Sequence, residues 1–171
     1  MKIKKKSAGE FGIDFGLILG AFMIGISGFM YLTDMAFEGH QWPVYIYYIV
    51  FPIMIIYCIS KFKKQNLGLL SVSEAIKTGI IVALISALIY VLYIFVFNSF
   101  IDTGYNDKLI EFSTNEIAKS DAPVEAKEIS LKMIEFFTDP INASLFWVAM
   151  SLFFGLIYSL IGGLAMKKTE A

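Results

Sequence analysis

Residues 75–97 read AIKTGIIVALISALIYVLYIFVF, an apolar run whose only charge, Lys77, lies in its first turn. At about 1.5 Å per residue, a helix of this length covers a hydrocarbon core of roughly 30 Å. The run is therefore predicted to be a transmembrane helix. Three further runs have the same character: Phe11 to Leu32, Pro43 to Ser60 and Ile141 to Met166. In chain order these are helices one, two, three (75–97) and four. Hydrophobic residues make up 57% of the chain and the mean hydropathy is +0.69. Soluble domains hold about 45–50% apolar residues, so the excess calls for lipid as solvent. The predicted fold class is all-α, an integral membrane four-helix bundle forming a single domain over 1–171. A short amphipathic helical segment is expected between helices three and four.

Local signals mark the helix boundaries. Ser71 and Glu74 have the S-x-x-E spacing of a reciprocal N-terminal cap for helix three. Asp139 followed by Pro140 supplies a cap and a first-turn proline for helix four. Pro52 sits inside helix two, denies the Tyr48 carbonyl its helical donor, and is expected to kink that helix. The first apolar run is longer than the roughly 7–15 residues of a signal-peptide core and no small-x-small site follows it, so it reads as a retained helix.

Charge sorting sets the expected orientation. All fourteen basic residues are lysines, and ten of them, Lys2, Lys4, Lys5, Lys6, Lys61, Lys63, Lys64, Lys77, Lys167 and Lys168, fall on one side of the four spans. The positive-inside rule assigns that side, with both termini, to the cytoplasm. Tyr31, Trp42, Tyr45, Tyr47, Tyr48 and Trp147 gather at the opposite ends, where amphipathic rings favour the headgroup layer. Segment 98–140 is then extracytoplasmic. It carries nine acidic residues against four lysines and shows helical periodicity at Leu109, Phe112 and Ile117, and again at Val124, Ile129, Met133, Phe136 and Phe137. Two short amphipathic helices are expected there, with Asp121 capping the second, on the outer membrane surface or over the bundle mouth.

Small residues recur every fourth position in three helices: Gly12, Gly16 and Gly20; Gly79, Ala83 and Ala87; Ser151, Gly155, Ser159 and Gly163. Such stripes let backbones approach closely, whether within one chain or between copies. Helix two has none and is expected to lie peripherally. Asp14, one turn into helix one, needs water or a partner at that depth, and Lys77 at similar depth on helix three is the candidate ion pair.

Catalytic constellations are missing: the sequence holds no H-E-x-x-H, G-x-S-x-G or phosphate-binding loop, and no catalytic, cofactor-binding or metal site is expected. His40, beside Glu38, matches no metal-ligand spacing, and the single cysteine, Cys58, lies within an apolar run. Without arginine, bidentate phosphate reading is disfavoured and nucleic acid is not an expected partner. Membrane lipid is, together with a second copy or another membrane protein. The leading expectation is a non-enzymatic helix-packing subunit, scaffold or accessory factor. The alternative is a small-solute channel or transporter formed by a homo-oligomer.

The glycine-studded first helix, the short second helix with Pro52, and the Ser71-x-x-Glu74-Ala75-x-Lys77-x-Gly79 start of helix three form one pattern with the acidic outer segment and a small-residue fourth helix ending in Lys167-Lys168. This layout resembles domain of unknown function family 4199, four-helix membrane proteins of Bacteroidota, from about Phe11 to Lys168. The resemblance implies the fold and an inner-membrane setting, with 98–140 periplasmic. It implies no reaction.

Overall fold

The computed structural model describes residues 6–169, so Lys2, Lys4 and Lys5 of the charge argument lie outside the described residues. Six α-helices follow in order: α1 (Ala8–Leu32), α2 (Trp42–Gln65), α3 (Val72–Val96), α4 (Tyr105–Lys119), α5 (Val124–Thr138) and α6 (Pro140–Met166). A π-helical turn, Phe97–Ile101, extends α3 toward α4. Four of these helices, α1, α2, α3 with its π turn, and α6, are long and apolar enough to cross a membrane. Only 22–33% of each span's most apolar window is buried by protein, so most of the remaining apolar surface faces outward, as lipid-facing side chains do. The chain is an all-α membrane protein.

Capping explains where the spans begin. Ser71 accepts from the Glu74 amide while the Glu74 carboxylate accepts from the Ser71 amide (3.2 and 2.8 Å). The same reciprocal pair, Ser7 with Glu10, starts α1 at Ala8, three residues before its apolar run. Asp139 Oδ1 accepts from the amides of Ile141 and Asn142, and Pro140 opens α6. Helix α5 starts differently from expectation: its N-cap is Pro123, with no side-chain cap, so Asp121 does not play that part. Helix α2 runs past Ser60 to Gln65, and Lys61, Lys63 and Lys64 ride on its last turns. Pro52 lies inside this continuous helix.

Helix α3 is the centre of the fold. Its most extensive interfaces are with α1 and α6, while α2 touches all three. Contrary to the peripheral placement expected for α2, it buries Tyr47, Phe51, Ile55, Cys58, Ile59 and Phe62 against them. At the lysine-rich end, Leu70 and Lys168 exchange backbone hydrogen bonds of 2.8 and 2.9 Å. That bridge ties the α2–α3 loop to the chain leaving α6.

Candidate functional site

The small-residue stripes determine where the interior is closed. Gly12, Gly16 and Gly20 face Ile81, Ile85 and Ile89 of α3, a constant offset that makes the two helices parallel. A Cβ on Gly16 would lie 2.6 Å from Ile85 Cβ, and one on Gly12 would lie 2.7 Å from the Thr78 carbonyl oxygen. A second face of α3 meets α6 in antiparallel register, with Ala75 against Gly163, Gly79 against Ser159 and Ala83 against Gly155. Ala87 and Ser151, the next members of those two stripes, are buried as well. Hydroxyls are tolerated in this seam because each turns back on its own helix: Thr78 to the Glu74 carbonyl, Ser86 to Ala83, Ser159 to Gly155. All of these stripe contacts are made inside one chain.

Asp14 does not pair with Lys77. Its carboxylate meets the Lys6 ammonium, while Lys77 is exposed on α3. The reason is rotational. Helix α3 docks on the Gly12, Gly16 and Gly20 stripe, and Asp14, two residues from both Gly12 and Gly16, points away from that face. His40 Nε2 lies 3.7 Å from Glu38 Oε2 on an exposed loop, and no group of three metal-ligating side chains exists among the described residues.

At the other end of the membrane the packing opens. Beyond Gly20, α1 presents Met23 and Ser27, larger residues that line an opening beside α3. Aromatic rings occupy the space: Tyr90 and Tyr93 from α3, Tyr31 from α1, Tyr105 from α4 and Trp147 from α6. Trp147 turns inward rather than toward headgroups, its ring centroid 5.1 Å from Tyr90 and 5.8 Å from Tyr47. Helix α4 is anchored over this end by Asp102, which accepts from Tyr31 Oη (3.3 Å) and the Gly104 amide (3.2 Å) and lies 3.6 Å from Lys108 Nζ. Tyr105 packs its ring on Tyr31, Phe37 and Phe97. Burial there pushes its phenol above the usual tyrosine range, and neighbouring Tyr90, Tyr93 and Asp102 push the same way.

Two adjoining half-open chambers of about 350 and 370 Å³ lie among these rings, sharing Tyr90, Ile94, Asn98 and Asn106 as a common wall. No Asp, Glu, Lys or His side chain lines either one. Polar contacts around them are mostly complete: Ser27 Oγ donates to Tyr90 Oη (3.1 Å), and Asn106 Nδ2 to the Thr138 carbonyl (3.2 Å). Two atoms are exceptions. Asn98 Nδ2 donates to the Ile94 carbonyl at 3.0 Å, which leaves Oδ1 buried with no hydrogen-bond partner. Trp147 Nε1 is likewise buried without one. Both residues belong to the wall of the chamber beside the α5–α6 turn, but the two atoms themselves are sealed within the packing. Asn98 stands in the π turn, a helical defect that recurs at functional sites. The sequence reading missed both groups. Its one available signal was an amide, Asn98, closing an otherwise apolar run.

A family model described as a protein of unknown function, DUF4199, matches residues 14–168. The chain belongs to the DUF4199 family. The match takes in α1 from Asp14 onward, all of α2, α3 and α6, and the α4–α5 segment, so in this DUF4199 chain the chambers and both orphaned atoms fall within the family region. No curated protein and no solved structure matches the chain.

Proposed function

We propose that this DUF4199 chain is a non-enzymatic accessory subunit of a bacterial inner membrane. On this reading the α4–α5 hairpin stands on the periplasmic side and docks another membrane protein. The observation that carries the proposal is the exposed face of α5. Ile129, Met133 and Phe136, spaced to share one face, are 60%, 53% and 44% exposed, and neither α4 nor α5 buries a single residue. The hairpin's acidic surplus disfavours anionic headgroups as the covering surface and favours a partner with basic residues around an apolar groove. The stripes are engaged within the chain, so they supply rigidity and leave the hairpin as the surface for association.

Purification of the tagged full-length chain in mild detergent tests this, alongside a variant carrying Ile129→Gln, Met133→Gln and Phe136→Gln. Loss of a co-purifying membrane protein from the variant is the expected result. An unchanged partner set and oligomeric state would remove the hairpin as contact surface. The orientation is checked separately: reporter fusions after Lys64 and within 115–127 should face opposite compartments.

The runner-up, a homo-oligomeric channel for an uncharged solute, draws on the uncharged, partly polar chambers at the aromatic end. Against it stands the seam of Gly79, Ser159, Ala83 and Gly155, which closes the α3–α6 interface below them. Solute flux into proteoliposomes above that of empty vesicles would favour it.

A further inference from the structure

The α4–α5 hairpin is joined to the spans differently from the way the spans are joined to one another. Each span buries at least five residues, whereas α4 and α5 bury none. Both ends of the hairpin are interruptions of helix. At one, the π turn Phe97–Ile101 gives way to Asp102 in extended backbone and to Gly104 before α4 begins. At the other, Asp139 alone separates α5 from α6, extended at ψ 119°, because Pro140 disfavours helical backbone in the residue before it. Between these joints the hairpin is tied to itself at both ends of its length, by Asn106 Nδ2 donating to the Thr138 carbonyl (3.2 Å) and Lys127 Nζ to the Ala118 carbonyl (2.9 Å). Its ties to α1 and the α1–α2 loop are slighter. Tyr31 Oη donates to Asp102 at 3.3 Å, and the Phe37 ring meets those of Tyr105 and Phe112 at 5.4 and 6.3 Å.

We propose that the α4–α5 hairpin is a lid, hinged at the π turn and at Asp139, that swings as one body away from the aromatic end and widens both chambers. The hairpin supplies one wall of each: Tyr105, Asn106 and Leu109 in the first, Asn106, Phe137 and Thr138 in the second. A hinge of this kind confines the backbone change to a few residues at the ends of elements, and both joints are of that type. The swing breaks one long hydrogen bond and a few ring contacts, and it leaves the close-packed α1–α3 and α3–α6 seams intact. Segments with few buried contacts open at the low end of a protein's range of local stabilities. The motion needs no partner on α5, so it stands or falls apart from the docking role proposed above.

Distances between nitroxide labels, read by pulsed electron paramagnetic resonance on the purified full chain in maltoside detergent, test this. Cys58→Ala removes the one native thiol. Leu32→Cys then places a label at the C-terminal end of α1 and Lys119→Cys one at the tip of the hairpin, both at exposed positions. A control pair, Leu32→Cys with Leu67→Cys, spans the bundle alone. The Leu32–Lys119 pair should show a main distance and a second, displaced component. Tyr31→Phe, which strips the hydroxyl from the latch and keeps its ring, should raise the second component relative to the first about two- to tenfold, the span of one hydrogen bond. Phe37→Ala, which removes two ring contacts without touching Asp102, should raise it too, while the control distance stays as it was in both variants. A single Leu32–Lys119 distance unaltered by either substitution would overturn the proposal and make the hairpin a fixed wall. A control pair that broadens in step would overturn it as well, because the motion would then belong to the bundle.

Discussion

The two ends of the α1–α3 pair are built on opposite plans. At the lysine-rich end, glycines put backbone against Ile81, Ile85 and Ile89 with no room for a Cβ, and every buried hydroxyl there has a carbonyl. At the aromatic end, the same helices present Met23 and Ser27 on one side and Tyr90 and Tyr93 on the other, and a chamber lies among them. Small residues make contacts that lipid cannot replace, whereas rings of fixed shape leave gaps where they meet. One end is therefore a clamp and the other a container. Overpacking the clamp should produce the largest effect in the molecule. Gly16→Leu is expected to destabilise by about 1–3 kcal/mol or more, seen as aggregation on size-exclusion chromatography and a lower melting temperature in detergent. Gly25→Leu, on the same helix with nothing within 4 Å of its would-be Cβ, should leave both unchanged. Adding Ile85→Ala to Gly16→Leu should recover part of the loss. Equal behaviour of the two leucine variants would dissolve the distinction between clamp and container.

The container makes a prediction of smaller size. Asn98→Leu removes an unpaired acceptor together with the bond from Nδ2 to the Ile94 carbonyl, an oxygen that the Phe97 amide also serves, so its gain and its loss offset. The melting temperature in detergent should therefore stay close to that of the parent. Ser27→Ala, which strips Tyr90 of a partner it has, should lower stability by about 0.5–1.5 kcal/mol. A clear loss from Asn98→Leu and none from Ser27→Ala would mean that the orphaned atoms are satisfied in the folded chain and that the chamber's chemistry has been misjudged.

The clamp's residues were far more legible in the sequence than the container's. Hydropathy locates four spans because lipid imposes one length and one composition on each. Ser71-x-x-Glu74 and Asp139-Pro140 are readable because capping is local. Ser7-x-x-Glu10 has the same spacing as Ser71-x-x-Glu74, yet it is hidden by an apolar run that begins only at Phe11. The stripes are visible as spacing, but what each one faces is not. Ile81, Ile85 and Ile89 look like any other lipid-facing residues until α1 is laid on them. The container depends on Asn98 and Trp147, 49 positions apart in the sequence, and on a π turn that periodicity does not register. A chamber whose walls come together only in the folded chain leaves no local trace.

Caps at the lysine-rich end provide a smaller test of how that end is held. Ser71→Ala and Ser7→Ala each remove an acceptor from a helix start and should cost about 1 kcal/mol, measurable as shifts in chemical unfolding. Ser71 is expected to matter more, since its hydroxyl also donates to Glu74 at 2.8 Å and Asn66 Nδ2 approaches the same carboxylate at 3.4 Å. Equal losses would show that only the cap itself contributes.

The smallest expected effect concerns Asp14, and it separates rotational placement from mere depth. Lys6 and Asp14 are each about half exposed, so their pairing is expected to contribute no more than about 1 kcal/mol. A double-mutant cycle of Lys6→Met with Asp14→Asn should yield a small favourable coupling that fades with added salt. A second cycle, Lys77→Met with Asp14→Asn, should be additive, because α3 covers the glycine face of α1 and Asp14 projects from another. Coupling in the second cycle but not the first would rotate α1 about its axis relative to α3. That rotation would take Gly12, Gly16 and Gly20 out of contact with Ile81, Ile85 and Ile89, and the clamp would have to be built from other residues.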